Sequence, residues 1–191
     1  MRWLYVNDWI GPRSRLPVFD VEPLQEFVSA PGRVLFVARL LASMVDPPSA
    51  AIPVDGIDPW DLVDWLDSVE PADRVVLLRR LGDLALFMAG VFADALGEET
   101  MDPARAGKFG RSVGMTGDEI LGLIDPASSS PGLDALEHLG ARWYHEAGRS
   151  ATPVPLIVDD VARRIHSARR FLTHVADCYL APIEPPWQFA Y

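Results

Sequence analysis

The sequence predicts an all-α fold: a single-domain bundle of about five or six helices around a buried central helix over residues 71–96. Three observations carry this prediction. The run Leu81-Gly82-Asp83-Leu84-Ala85-Leu86-Phe87-Met88-Ala89-Gly90-Val91-Phe92-Ala93 is apolar on every side when wound as a helix, and such a helix belongs in an interior. Ala85, Ala89 and Ala93 fall at four-residue spacing, a smooth flank against which a second helix approaches closely. Elsewhere apolar residues recur at three- and four-residue spacing, and no segment reads as part of a sheet.

A chain of 191 residues buries roughly 70% of the surface its unfolded form exposes, enough for one core without disulfides or metal. The bundle is assigned to residues 21–182, between an extended aromatic arm (1–20) and a proline-rich tail (183–191). The single cysteine, Cys178, points to a reducing compartment. Asn7-Asp8 interrupts any secretion-signal core, and the uncharged stretch Leu84–Ala93 is too short to span a bilayer. The expectation is a soluble cytoplasmic protein without a membrane partner. A net charge of −10 repels phosphate backbones and sets nucleic acid aside. Lys108 is the only lysine among seventeen basic residues, a bias expected of a GC-rich bacterial genome.

In the arm, Trp3, Tyr5, Trp9 and Phe19 lie among Gly11, Pro12 and Pro17, too broken for a helix. Its aromatics are expected to dock on the body; exposed, they would form a contact for a partner. Residues 21–45 are helical, kinked or divided at Pro31. Asp58-Pro59 opens a short helix through Val69, whose Asp61, Asp64 and Asp67 form a solvated acidic row. Pro71 starts the central helix and Gly97 ends it, about 26 residues and roughly 39 Å. Within it Asp83 needs a partner if buried, and Arg79, one turn earlier, is the nearest.

Residues 98–115 are the least regular, and three formal motifs fall in or beside them. Gly110-Arg111-Ser112-Val113-Gly114 has the form of a hydrolase nucleophile elbow but lacks its strand. Gly107-Lys108-Phe109-Gly110 has the form of a nucleic-acid backbone clamp without its fold or charge. Thr116-Gly117-Asp118-Glu119 is a capping box that starts a helix through Ile124. The next helix runs from Ser130-Pro131 to Gly148. The last runs from Leu156 to about Leu180, with Val158, Val161, Ile165, Leu172 and Tyr179 on its apolar face.

All four histidines lie in these last two helices. Asp134 with His138, and His174 with Asp177, would together suit iron, manganese or zinc. The helical wheel turns both pairs away from the apolar faces, and the Glu-x-x-His repeat of bundle di-iron centres is absent. No metal ligand is assigned. Asp159 and Asp160 precede Arg163 and Arg164 by four residues, the spacing of intrahelical ion pairs. Arg170, flanked one turn away by His166 and His174, remains as a stripe for an anion or an acidic partner face.

The segment Arg80-Leu81-Gly82-Asp83-Leu84-Ala85-Leu86-Phe87-Met88-Ala89-Gly90 resembles one found in uncharacterised bacterial all-helical proteins, and Arg169–Asp177 is similar to their terminal segment. The resemblance implies an all-helical fold and carries over no activity, cofactor or catalytic residue.

Two functional expectations follow. The first is an accessory or interaction protein, binding a protein partner or a second copy, through the polar stripe of the last helix (His166, Arg170, His174, Asp177) or the arm. The second is a small-molecule binder or helical-bundle enzyme, metal-dependent or not, with a pocket near Asp83, Arg79, Tyr144 and Tyr179. No catalytic residue is assigned and the cofactor is left unknown. Whether Asp83 faces a cavity or a closed ion pair discriminates between them.

Overall fold

The computed structural model describes residues 21–45, 59–66, 68–93, 96, 101–125, 128, 130–150 and 156–180. The arm, Asp58, Asp67, Gly97 and the tail lie outside them. The described residues form nine α-helices and no strand: α1 Val21–Ser29, α2 Pro31–Val45, α3 Pro59–Trp65, α4 Pro71–Val91, α5 Pro103–Ser112, α6 Gly117–Gly122, α7 Pro131–Ser150, α8 Leu156–Arg163 and α9 Ile165–Val175. A π-helical turn, Ala176–Leu180, extends α9. No single described helix is long and apolar enough to cross a membrane.

Proline and the caps set most helix starts. Pro31 divides its segment outright, with α1 and α2 meeting at 88°, because proline offers no N–H to continue the ladder of α1. Proline also stands in the first turn of α4. At Thr116 the capping box forms in full, with Glu119 reaching back to the Thr116 backbone N–H.

α4 and α7 make the most extensive helix pair and form the wall between two core clusters. On one side Leu77, Leu81, Ala85 and Ala89 of α4 join Leu62, Leu66, Phe109, Ile120, Leu139 and Trp143. On the other, Leu86 of α4 joins Phe27, Phe36, Leu40, Tyr144, Val161 and Leu172. Adjacent residues of α7, Trp143 and Tyr144, therefore anchor opposite cores. The wall is thin because glycine sits at the crossing. A Cβ on Gly82 would come within 2.6 Å of the Tyr144 ring, and one on Gly140 within 3.2 Å of the Ala85 Cβ. The small-residue flank is thus Gly82, Ala85 and Ala89, with Ala93 beyond the helix end.

The structure departs from the sequence expectations at several places, and α3, expected through Val69, ends at Trp65. α4 ends at Val91, where Phe92 leaves the α region at φ −114°, ψ 30° while its N–H still bonds Met88 O. The irregular stretch contains a helix, α5, started by Asp102 accepting from the Arg105 N–H and by Pro103. Its glycines serve contact rather than looseness: a Cβ on Gly110 would meet Met115 O at 2.5 Å, and one on Gly117 would meet Gly107 N at 2.9 Å. The last helix, expected whole, breaks at Arg164 (φ −119°, ψ 30°) and widens into the π turn.

Candidate functional site

Three polar networks link the helices; the first holds Arg79, Asp83 and Tyr144 and the second holds His166. In the first, Asp83 Oδ1 accepts from Arg79 Nε at 2.9 Å and from the Tyr144 hydroxyl at 2.8 Å. The spacing brings Arg79 to Asp83 within α4; the glycine crossing brings Tyr144 from α7. The Arg79 guanidinium lies 4.5 Å from the centroid of the Phe36 ring, which meets Tyr144 edge to face. Burial, and then the Asp83 charge, pushes the Tyr144 hydroxyl well above its ordinary pKa, so it stays a donor. Asp83 faces a closed ion pair.

In the second network, Glu137 of α7 takes Arg169 and His166 of α9, with His166 Nδ1 at 3.1 Å. Burial alone would raise the Glu137 pKa; the hydrogen bond from His166 and the Arg169 charge outweigh it and hold the carboxyl below its ordinary value. His166 is therefore tied to a carboxylate that the sequence reading passed over.

The third network is built on the paired aspartates of α8. Asp160 accepts from Arg33 of α2 at 2.7 Å and from Arg164, and the Arg33 hydrogen bond leads the causes that lower its pKa. Asp159 meets Arg163 at 3.1 Å and His145 Nδ1 of α7 at 2.9 Å. Both pairs expected from the four-residue spacing are formed, the second with Arg164 at the break just past α8.

The remaining stripe of the last helix lies differently from the wheel expectation. His174 and Asp177 are only 8% and 5% exposed, whereas Tyr179 is 63% exposed. Two physical causes act. α9 packs against α1, α4 and α7, so it is enclosed on more than one side, and the π turn shifts the register past Val175, swinging Tyr179 out. Tyr179 therefore stands on the surface, and Arg170, His174 and Asp177 are all engaged. His174 Nδ1 lies 3.7 Å from Cys178 Sγ. Burial lowers the His174 pKa, while burial and then Asp177 raise that of Cys178. Both shifts favour a neutral imidazole beside a neutral thiol, the opposite of an activated thiolate.

The formal motifs are absorbed by the fold. Ser112 is the last residue of α5; its hydroxyl donates to Phe109 O at 2.6 Å and accepts from the Trp143 indole N–H at 2.8 Å. Gly114, at φ 70°, is the left-handed residue just past that helix. Lys108 Nζ pairs with Asp64 of α3 at 2.7 Å. Among the described residues no three of His, Cys, Asp and Glu gather as ligands for a metal ion.

Comparison with protein-family models, with curated proteins and with solved structures gave no match. Function has to be argued from the molecule alone. The sequence reading missed Glu137, Arg33 and His145, whose partners lie in other helices. Only the amphipathic placement of Glu137 and Arg169 on facing helices carried any signal for one of these pairs.

Proposed function

We propose that this protein is a non-enzymatic accessory protein that acts by association, with a second copy of itself as partner, through the outer face of α2. The observation that carries the reading is the two-sided apolarity of that helix. Phe36, Val37 and Leu40 are buried inward, yet Leu35, Ala38, Ala42 and Val45 are exposed outward with Arg39 the one charge among them. Leu35 is 51% exposed and Val45 82%. A surface helix ordinarily turns a polar face to water, and a contiguous apolar stripe marks a contact.

The stripe is symmetric about position 40: Leu35 mirrors Val45 and Ala38 mirrors Ala42. An antiparallel two-fold pairing would set each large residue against the other and let the helices approach at the alanines. One helix face falls short of the roughly 800 Å² per partner of a stable interface, so the association is transient. The ordinary reactive groups support the non-enzymatic half of the reading, since Ser112, Asp83, Glu137 and Lys108 are all held by internal partners. A bacterial cytoplasmic setting belongs to the same proposal, supported by the single thiol.

Sedimentation velocity over a concentration series tests it. The wild-type chain is expected to show a reversible monomer–dimer equilibrium that Ala38→Glu and Ala42→Glu abolish while leaving helicity unchanged. A wild-type monomer at every soluble concentration would refute self-association through α2.

A further inference from the structure

We propose that the rim of the α2 face, where it meets α4, is half of a binding site for a compact oxyanion with two linked charged groups, which the second copy completes. The inference rests on the α2 pairing proposed above. Two arginines at this rim lack carboxylates. Arg39 of α2 is exposed and Arg80 of α4 is half-buried, and neither forms an ion pair with a described residue. α2 itself carries no acid, and Asp83, the nearest carboxylate along α4, is engaged by Arg79 and Tyr144. Arg80 Nε is buried with no partner, and Arg80 Nη1 reaches only the Ser43 hydroxyl, at 3.4 Å. That hydroxyl donates to Leu40 O at 2.8 Å, so toward Arg80 it accepts. A sheltered guanidinium so poorly paired calls for a partner from outside the chain.

Ser43 follows Arg39 by four residues, so it lies one turn along the same flank of α2 and holds Arg80 beside that flank. The pairing is symmetric about position 40. A two-fold axis perpendicular to antiparallel helices returns each flank to the same side of the pair, so the two copies bring this rim together. Arg39 stands one residue before the centre and Ser43 three residues after it; in the second copy the order is reversed. The two Arg39 positions are therefore flanked by the two Ser43–Arg80 contacts, a row spanning about 9 Å along the helix axis at about 1.5 Å per residue. Like charges so placed oppose the pairing. An anion with two linked oxyanion groups has the symmetry to bridge them, each group taking one Arg39 and one Arg80 through charge-assisted hydrogen bonds. Diphosphate is the simplest such molecule, and a single copy offers it only half the donors.

Sedimentation velocity of the full chain in inorganic pyrophosphate, against sodium chloride at the same ionic strength, tests the site. Matched ionic strength removes general screening as a cause. Pyrophosphate is expected to lower the dimer dissociation constant by about tenfold. Arg39→Gln, at an exposed position, and Arg80→Gln should each leave helicity unchanged, still dimerise in chloride and lose the response to pyrophosphate. A wild-type dimer that pyrophosphate leaves unchanged, or a response that persists in Arg39→Gln, would overturn the site while the α2 association stands. A wild-type monomer in both buffers would remove the association and the site together.

Discussion

Tyr144 and Arg79 converge on a single atom, Oδ1 of Asp83, at 2.8 and 2.9 Å. The acid therefore bridges α4 and α7 at the crossing that separates the two cores. Asp83→Ala strands a fully buried tyrosine hydroxyl and unpairs Arg79, though the guanidinium, about one third exposed, regains water. The expected cost is about 2–3 kcal/mol. Tyr144→Phe removes one hydrogen bond and should cost about 1 kcal/mol. Urea denaturation of the two single variants and the double variant measures the coupling. Additive losses would show that the bridge is not formed in solution.

What the sequence revealed and what it hid divide along the length of the contact in the chain. Arg79 with Asp83, Asp159 with Arg163, Asp160 with Arg164 and the Thr116–Glu119 box are each separated by three or four residues, and helix geometry alone brings them together. Tyr144 reaches Asp83, and Arg169 reaches Glu137, only after α4, α7 and α9 have packed, so no local spacing announces them. The all-α bundle and its central helix were legible because periodicity and proline placement are local. The end of α4 at Val91 was not, because neither glycine nor proline marks it. α5 was hidden by Gly107 and Gly110, which suggest a loop until Gly117 is seen pressing against the first and Met115 and Thr116 against the second. The Asp-Pro pair read as a helix start at Asp58-Pro59 recurs at Asp102-Pro103, where it was the cue to find α5.

Ser112 satisfies the one polar atom of Trp143 in the middle of the first core. Ser112→Ala leaves the indole N–H buried without an acceptor, a loss of about 1–3 kcal/mol. Thermal unfolding should report this loss. A fluorophosphonate probe should leave the native serine unlabelled; labelling at Ser112 would mean that the hydroxyl is accessible and activated, against the geometry.

Acid should weaken the fold in two successive windows. The folded pKa of His174 lies below its ordinary 6.5, so the unfolded chain takes up that proton first, and stability present above 6.5 is lost as the pH falls below it. The folded pKa of Glu137 lies below its ordinary 4.5, so its contribution is present above that value and lost as the pH drops further through the folded pKa. Urea midpoints measured from pH 8 to 3 should fall in both windows. Glu137→Gln should shrink the lower one, to which Asp160 with its own lowered pKa also contributes, and leave the upper one in place. A lower window unchanged by Glu137→Gln would remove the α7–α9 pair as its source.

Alanine at two helical glycines should act in opposite directions, because helix propensity favours alanine at both while space is available at only one. At Gly122 no atom lies within 4 Å of an added Cβ and the backbone φ is not positive. Gly122→Ala should therefore stabilise the chain by about 0.4–1 kcal/mol through the unfolded state. At Gly82 the added carbon would stand 2.6 Å from the Tyr144 ring, and relieving that contact means moving the ring off Asp83 or parting α4 from α7. Overpacking of this kind costs about 1–3 kcal/mol, more than propensity returns. If Gly82→Ala proved as stable as Gly122→Ala in the same denaturation assay, the close α4–α7 crossing that divides the two cores would have to be wider than 2.6 Å allows.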